Sequence, residues 1–243
     1  QPYHIPCSID EMKISRIDLT CNLLFSQSDP VQIYIRSLQK AFVLPHYKRD
    51  YFRPDDGKAK NPQEANRHSC KQKCRSASFF SYDKTAQLQM IGRLTNELIG
   101  KRVLRLEAEL KREAMKKHLG KQPDNYHYLK AGAAQAQKVI KWYLKRLFKH
   151  ADGTHMCYCE AVELVQQQTW KPKTRERALY LLRKVSDSQS LDAALQKTMA
   201  HFGIKRDAAD RLLCKLRKAG INPITLPNSS HAQPIESMLK YFK

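Results

Sequence analysis

Apolar residues recur at every second position in two stretches of this chain and at every third or fourth position in most others. In residues 13–24, KISRIDLTCNLL, Ile17, Leu19, Cys21 and Leu23 alternate with Arg16, Asp18, Thr20 and Asn22. A period of two is that of a strand with one buried face. Residues 101–110, KRVLRLEAEL, repeat it: Leu104, Leu106, Ala108 and Leu110 fall on one side, Val103, Arg105, Glu107 and Glu109 on the other. A further strand is expected over 75–84, RSASFFSYDK, with Phe79 on one face and Phe80, Tyr82 and Lys84 on the other. After the first strand, Asp29 as N-cap and Pro30 at the first helical position predict a helix through VQIYIRSLQKAF. Residues 85–99 read as helical, and KREAMKKHLG as a short basic helix ended by Gly120. Residues 45–74 are polar, with a Pro-Asp-Asp-Gly turn at 54–57 and a basic tract, RHSCKQKCR, from 67. They are expected to form a loop or a hairpin excursion.

From about residue 126 the period becomes helical. AAQAQKVIKWYLKRLF is amphipathic, and further helices fit 157–168, 173–186, 190–202 and 206–218. The predicted class is therefore α+β: an antiparallel sheet with flanking helices over 1–122, then a mostly helical part over 123–243, divided at the linker 119–127. The last two helices meet at Phe202-Gly203-Ile204. That spacing suits a helix-turn-helix, whose second helix enters a DNA groove, and equally a plain helical hairpin.

Charge narrows the partner. Of 243 residues, 44 are Lys or Arg and 23 are Asp or Glu, a formal net charge of +21. A surplus of that size, spread along the chain, calls for a polyanion, with nucleic acid first. An acidic membrane surface comes second, because the basic helices lack the broad aromatic or leucine face of interfacial helices. No apolar run approaches the roughly 20 residues of a membrane span, and no secretory leader opens the chain, so a cytoplasmic protein without a membrane partner is expected. The seven cysteines have no framework spacing and read as reduced thiols. His68, Cys70 and Cys74, and likewise His155, Cys157 and Cys159, lack the paired spacing of a zinc site. No phosphate loop, dinucleotide fingerprint, HExxH or GxSxG motif is present.

The strands place Arg16 with Asp18, Tyr82 with Lys84, and Arg105 with Glu107 and Glu109, each set on one face. One reading is a solvated sheet surface whose charges pair across strands. The other is a site, since carboxylates on two strands suit Mg²⁺ or Mn²⁺. A tyrosine beside a lysine and such a cation is equipped for phosphoryl transfer: the phenol is a poor nucleophile at its usual pKa near 10, and neighbouring cations ease its ionisation.

The segments ISRIDLT (14–20), FFSYDK (79–84) and VLRLEAELK (103–111), in this order, resemble the gene-two replication proteins of filamentous phages and the related phage and plasmid initiators. The tail AGINPITLP (219–227) resembles the end of that family's C-terminal region. The resemblance implies a metal-dependent enzyme that nicks and rejoins single strands to start and finish rolling-circle replication, through a 5′-phosphotyrosine. It places the nucleophile at Tyr82. Lys84 falls at the lysine that contacts the scissile phosphate or protonates the leaving oxygen. Asp18 and Glu107, then Glu109, fall at acidic positions that would hold Mg²⁺ or Mn²⁺, and Arg16 and Arg105 hold either phosphates or the carboxylates. With Arg75, Lys111, Lys205 and Arg206, these two arginines are the expected DNA contacts. The implied partners are origin DNA, single- and double-stranded, and the host replication machinery in a bacterial cytoplasm. Two departures stand out. No His-hydrophobic-His triplet is present, and the family's N-terminal part, with further strands of the same sheet, is expected to be missing ahead of Gln1. The alternative is a DNA-binding replication regulator or degenerate initiator without enzymatic activity. RNA binding is weaker, since neither an RNP-type strand nor a KH loop is found.

Overall fold

The alternating stretches pair with one another. The computed structural model describes residues 13–26, 29–51, 62–188, 190–226 and 234–242. Strands β1 (Arg16–Phe25), β2 (Lys48–Asp50), β3 (Ser69–Lys73), β4 (Ala77–Asp83) and β5 (Arg102–Lys111) form one antiparallel sheet in the order β1-β5-β4-β3-β2. β5 pairs along both edges, placing Asp18 opposite Glu109, Thr20 opposite Glu107, and Tyr82 opposite Arg105. One face is apolar, with Leu104, Leu106, Ala108 and Leu110 all at 0% exposure. The other carries the charges. The fold is α+β, as the periodicity predicts.

Two helices cover the apolar face. α1 (Asp29–Lys40) contributes Tyr34, Ile35 and Leu38, and α5 (Asn125–Leu147) contributes Val139, Ile140 and Tyr143. α5 approaches β1 closely because residue 132 is glycine. A Cβ there would lie 3.2 Å from Leu19 Cδ2 and 3.6 Å from Ile17 Cγ2. The Tyr143 ring stacks on Phe79 at 5.1 Å, and its hydroxyl shares a 3.0 Å hydrogen bond with that of Tyr47. The chain turns helical near residue 123 as expected. The linker at 119–127 does not separate two cores, however, because α5 belongs with the sheet and with one continuous hydrophobic cluster that runs into the later helices.

The stretch 45–74 holds more structure than its polarity predicts: β2, α2 (Pro62–Arg67) and β3. β3 escapes hydrophobic patterning because, beside Cys70, its inward face carries Gln72. That side chain is 1% exposed, accepts from Leu44 N and donates to Phe42 O, so it is buried through its hydrogen bonds. The turn expected at 54–57 lies outside the described residues. β4 ends at Asp83, whose carboxylate accepts from Ala86 N at 2.9 Å and caps α3 (Lys84–Met90). Lys84 is therefore a first-turn helical residue rather than a strand residue. α3 also stops well short of the expected 99. Gly92 turns the chain at φ 64°, ahead of a short 3₁₀ turn, Asn96–Leu98.

The remaining helices agree with the expected spans to within about two residues at most ends. They are α4 (Arg112–Leu119), α6 (Tyr158–Gln166), α7 (Pro172–Asp187), α8 (Leu191–Phe202) and α9 (Arg206–Lys218). Gly120 and Gly203, both at positive φ, end α4 and α8. The last described segment returns to α1, where Tyr34 Oη donates to Glu236 O at 2.9 Å. No described helix is long and apolar enough to cross a membrane. Replacing Phe79 with Ala removes the ring between β4 and Tyr143 and should cost about 3–5 kcal/mol in urea unfolding. Leu24→Ala, at a side chain 59% exposed, should change stability by no more than about 0.5 kcal/mol.

Candidate functional site

The uncovered face of the sheet gathers most of the residues that the motifs single out. Tyr82 lies at the end of β4, only 7% exposed, and its Oη donates to Glu107 Oε1 at 2.8 Å. Glu107 stands diagonally across on β5, since the direct partner of Tyr82 is Arg105. The Arg105 guanidinium lies between strands. Its Nε donates to Asn22 Oδ1 at 2.9 Å, and Nη1 is 3.7 Å from Glu107 Oε1. Lys84, carried round by the first turn of α3, places its Nζ 5.9 Å from the Tyr82 ring centre and donates to Gln87 Oε1 at 2.8 Å. Phe80 packs beside Tyr82 with ring centres 4.7 Å apart, and the Lys71 ammonium lies 5.6 Å from the Phe80 centre.

These neighbours set the proton affinities. Burial, reinforced by the hydrogen bond and negative charge of Glu107, pushes the Tyr82 phenol up to about 12, against the opposing pull of Arg105. Burial and then the charge of Arg105 pull Lys84 below the usual lysine range, with Glu107 opposing. The tyrosine holds its proton with a carboxylate aligned to take it, and the lysine gives up its proton more readily than a free lysine. Chemically, such a set can supply a base, a nucleophile and an acid across one end of the sheet.

The acidic positions do not assemble into a ligand set. Asp18 and Glu109 face each other, but the Arg16 guanidinium stands between them, 2.9 Å from Asp18 Oδ2 and 3.8 Å from Glu109 Oε2. Glu107 is engaged by Tyr82 and Arg105. Among the described residues no group of three or more His, Cys, Asp or Glu is arranged to hold a metal ion. As the side chains stand, they do not fit Mg²⁺ or Mn²⁺: an arginine occupies the place of the cation. The two His/Cys clusters serve the fold. His68 bonds Gln32 and Glu64, buried His155 bonds Ile224 O, and Cys157 Sγ caps α6 by accepting from Glu160 N.

The expected DNA contacts separate into two places. Arg16, Arg105 and exposed Lys111 line the uncovered face along β1 and β5, and exposed Arg75 sits at the β3–β4 turn near its far end. Lys205 and Arg206 lie elsewhere, at the start of α9. Arg206 is held by Asp210 at 3.1 Å and Asp192 at 3.9 Å, 5.9 Å from the ring of core residue Phe42. α9 buries Ala209, Leu212, Leu213 and Leu216 and exposes Arg211, Lys215 and Lys218. Asn22, Gln87 and Lys71 also belong to the site. Lys71 was legible only as an alternate position of SCKQK, within a tract that reads as loop. Comparison of the chain with protein-family models, with curated proteins and with solved structures finds no match.

Tyrosine-selective NMR should find Tyr82, identified by loss of its signal in Tyr82→Phe, still protonated at pH 10.5, where an ordinary tyrosine is mostly ionised. Glu107→Gln removes a charge that raises this pKa and should move the titration toward lower pH.

Proposed function

We propose that the uncovered face binds single-stranded DNA and that Tyr82 cleaves it by transesterification, as the resemblance implies. The observation that carries this reading is the Tyr82–Glu107 hydrogen bond with Lys84 beside it. In the proposed step the Tyr82 oxygen bonds to phosphorus while Glu107 takes the phenolic proton. The bond from phosphorus to O3′ breaks, and O3′ takes a proton from the Lys84 ammonium. The products are a 5′-phosphotyrosine and a free 3′-OH that can prime synthesis. Reversal rejoins a strand and returns both protons. Arg105 lies close enough to balance charge on the phosphoryl oxygens as the bonds exchange. Such chemistry suits an initiator of rolling-circle replication acting at an origin in a bacterial cytoplasm.

A second reading has its own support. A phenol pushed up to about 12 is a reluctant nucleophile, and Phe80 beside Tyr82, with Lys71 and Lys84 over the two rings, is also the make-up of a stacking platform for single strands. On that reading the protein holds DNA at the origin without cutting it.

Covalent capture separates the two. A random-sequence single-stranded DNA pool radiolabelled at its 3′ end is incubated with the chain in Mg²⁺, in Mn²⁺ and in EDTA, then run under denaturing conditions. The transesterase should retain label on the wild-type protein and lose it in Tyr82→Phe. Lys84→Ala should slow adduct formation by about 10²–10⁴-fold. No adduct under any of the three conditions, with salt-dependent binding that survives Tyr82→Phe, establishes the second reading instead.

A further inference from the structure

On the other side of the sheet, one flank of α1 borders a cavity of about 750 Å³. That volume lies within the range of small-molecule sites. Ile33, Arg36, Ser37 and Lys40 face it at i, i+3, i+4 and i+7; α2, the C-terminal end of α7 and residues 224–226 close it. α1 packs on the apolar face, so the sheet lies between this cavity and Tyr82.

Its charge is one-sided. Arg36, Lys40 and Arg67 line it, and none of the described lining residues is acidic. Arg36 makes no ion pair among the described residues, and Arg67 has only a 3.6 Å pairing with Glu64. Lys40 donates to the carbonyls of Val185 and Ser186, at 2.8 and 2.7 Å, in the last turn of α7. An ammonium has three donors, so one remains. Burial pulls Lys40 below the usual lysine range, more than Asp187 restores it: its charge is poorly compensated. The rest of the wall combines apolar Ile33, Ile224 and Leu226 with neutral polar residues such as Gln39, Gln63 and Thr225, and half-exposed Tyr51 stands beside it.

We propose that this cavity is a nucleotide site, with the phosphates held by Arg36, Lys40 and Arg67, and the base against Tyr51 and the aliphatic residues of the wall. Inorganic phosphate alone would leave most of the volume and those aliphatic residues unused. The site is independent of Tyr82. It would take either a free nucleotide or the 5′-phosphorylated end of a strand, which present the same chemistry.

The test is titration of the full chain with a fluorescent N-methylanthraniloyl ATP, competed by ATP, by adenosine and by a short oligonucleotide with or without a 5′-phosphate. Saturable binding displaced by ATP and not by adenosine is expected. Displacement by the oligonucleotide only when it is phosphorylated would name the strand end as the natural source. Arg36→Ala with Arg67→Ala should weaken binding at least about tenfold, since each removes a charge-assisted hydrogen bond. Lys116→Ala with Lys121→Ala, which lowers net charge equally at exposed sites elsewhere, should not, and Tyr82→Phe should leave affinity unchanged. Binding that does not saturate, that survives loss of Arg36 and Arg67, or that falls equally in the Lys116/Lys121 variant overturns the proposal. The last result would mean general attraction of a polyanion to a chain of charge +21.

Discussion

The two-sidedness of β5 is the constraint on which the rest depends. Its backbone is hydrogen-bonded along both edges, and its side chains alternate between leucines or alanine without exposure and Arg105, Glu107 and Glu109. Each buried leucine is worth roughly 1.5–3 kcal/mol relative to exposure. Slipping the strand by one residue would turn all of them to water and three charges into the core. That penalty locks the register with β1 and β4, and the register decides which polar groups meet. Tyr82 finds Glu107, and Asp18 faces Glu109, because the leucines behind them cannot move.

Charge on the uncovered face is balanced locally while the chain as a whole is strongly cationic. Arg16 serves Asp18 and Glu109, and Arg105 serves Glu107 and Asn22. Exposed pairs of this kind add little to stability, and their effect is to hold side chains in place. On the proposed reading, attraction for DNA would come instead from cations left over, such as Lys84, Lys111 and Arg75, which make no ion pair among the described residues. The face thus joins an ordered, nearly neutral centre to a basic margin.

Where burial is one-sided, the sequence predicts the structure closely. β1 and β5 follow from alternation, and α6 to α9 from helical period, with Gly203 ending α8. Elsewhere the determining interactions are not local. β3 was illegible because Gln72 is buried through bonds to a loop 28 and 30 residues away. The placement of Lys84 in a helix follows from Asp83, whose short polar side chain reads as strand, turn or cap until its amide partner is known. That Tyr82 meets Glu107 diagonally, and that Arg16 fills the space between two carboxylates, depends on cross-strand register and rotamers, which spacing does not encode. The cavity beside α1 draws its lining from five separated segments, each unremarkable alone.

Phe79 and Phe80 are consecutive, and their rings leave the sheet in opposite directions. The first is clamped against Tyr143, the second rests against the tyrosine of the site. Together they act as a rivet through the sheet, one head on each side. The two residues share adjacent backbone, so the packing of Phe79 against a helix of 23 residues helps to fix the strand from which Phe80 and Tyr82 project.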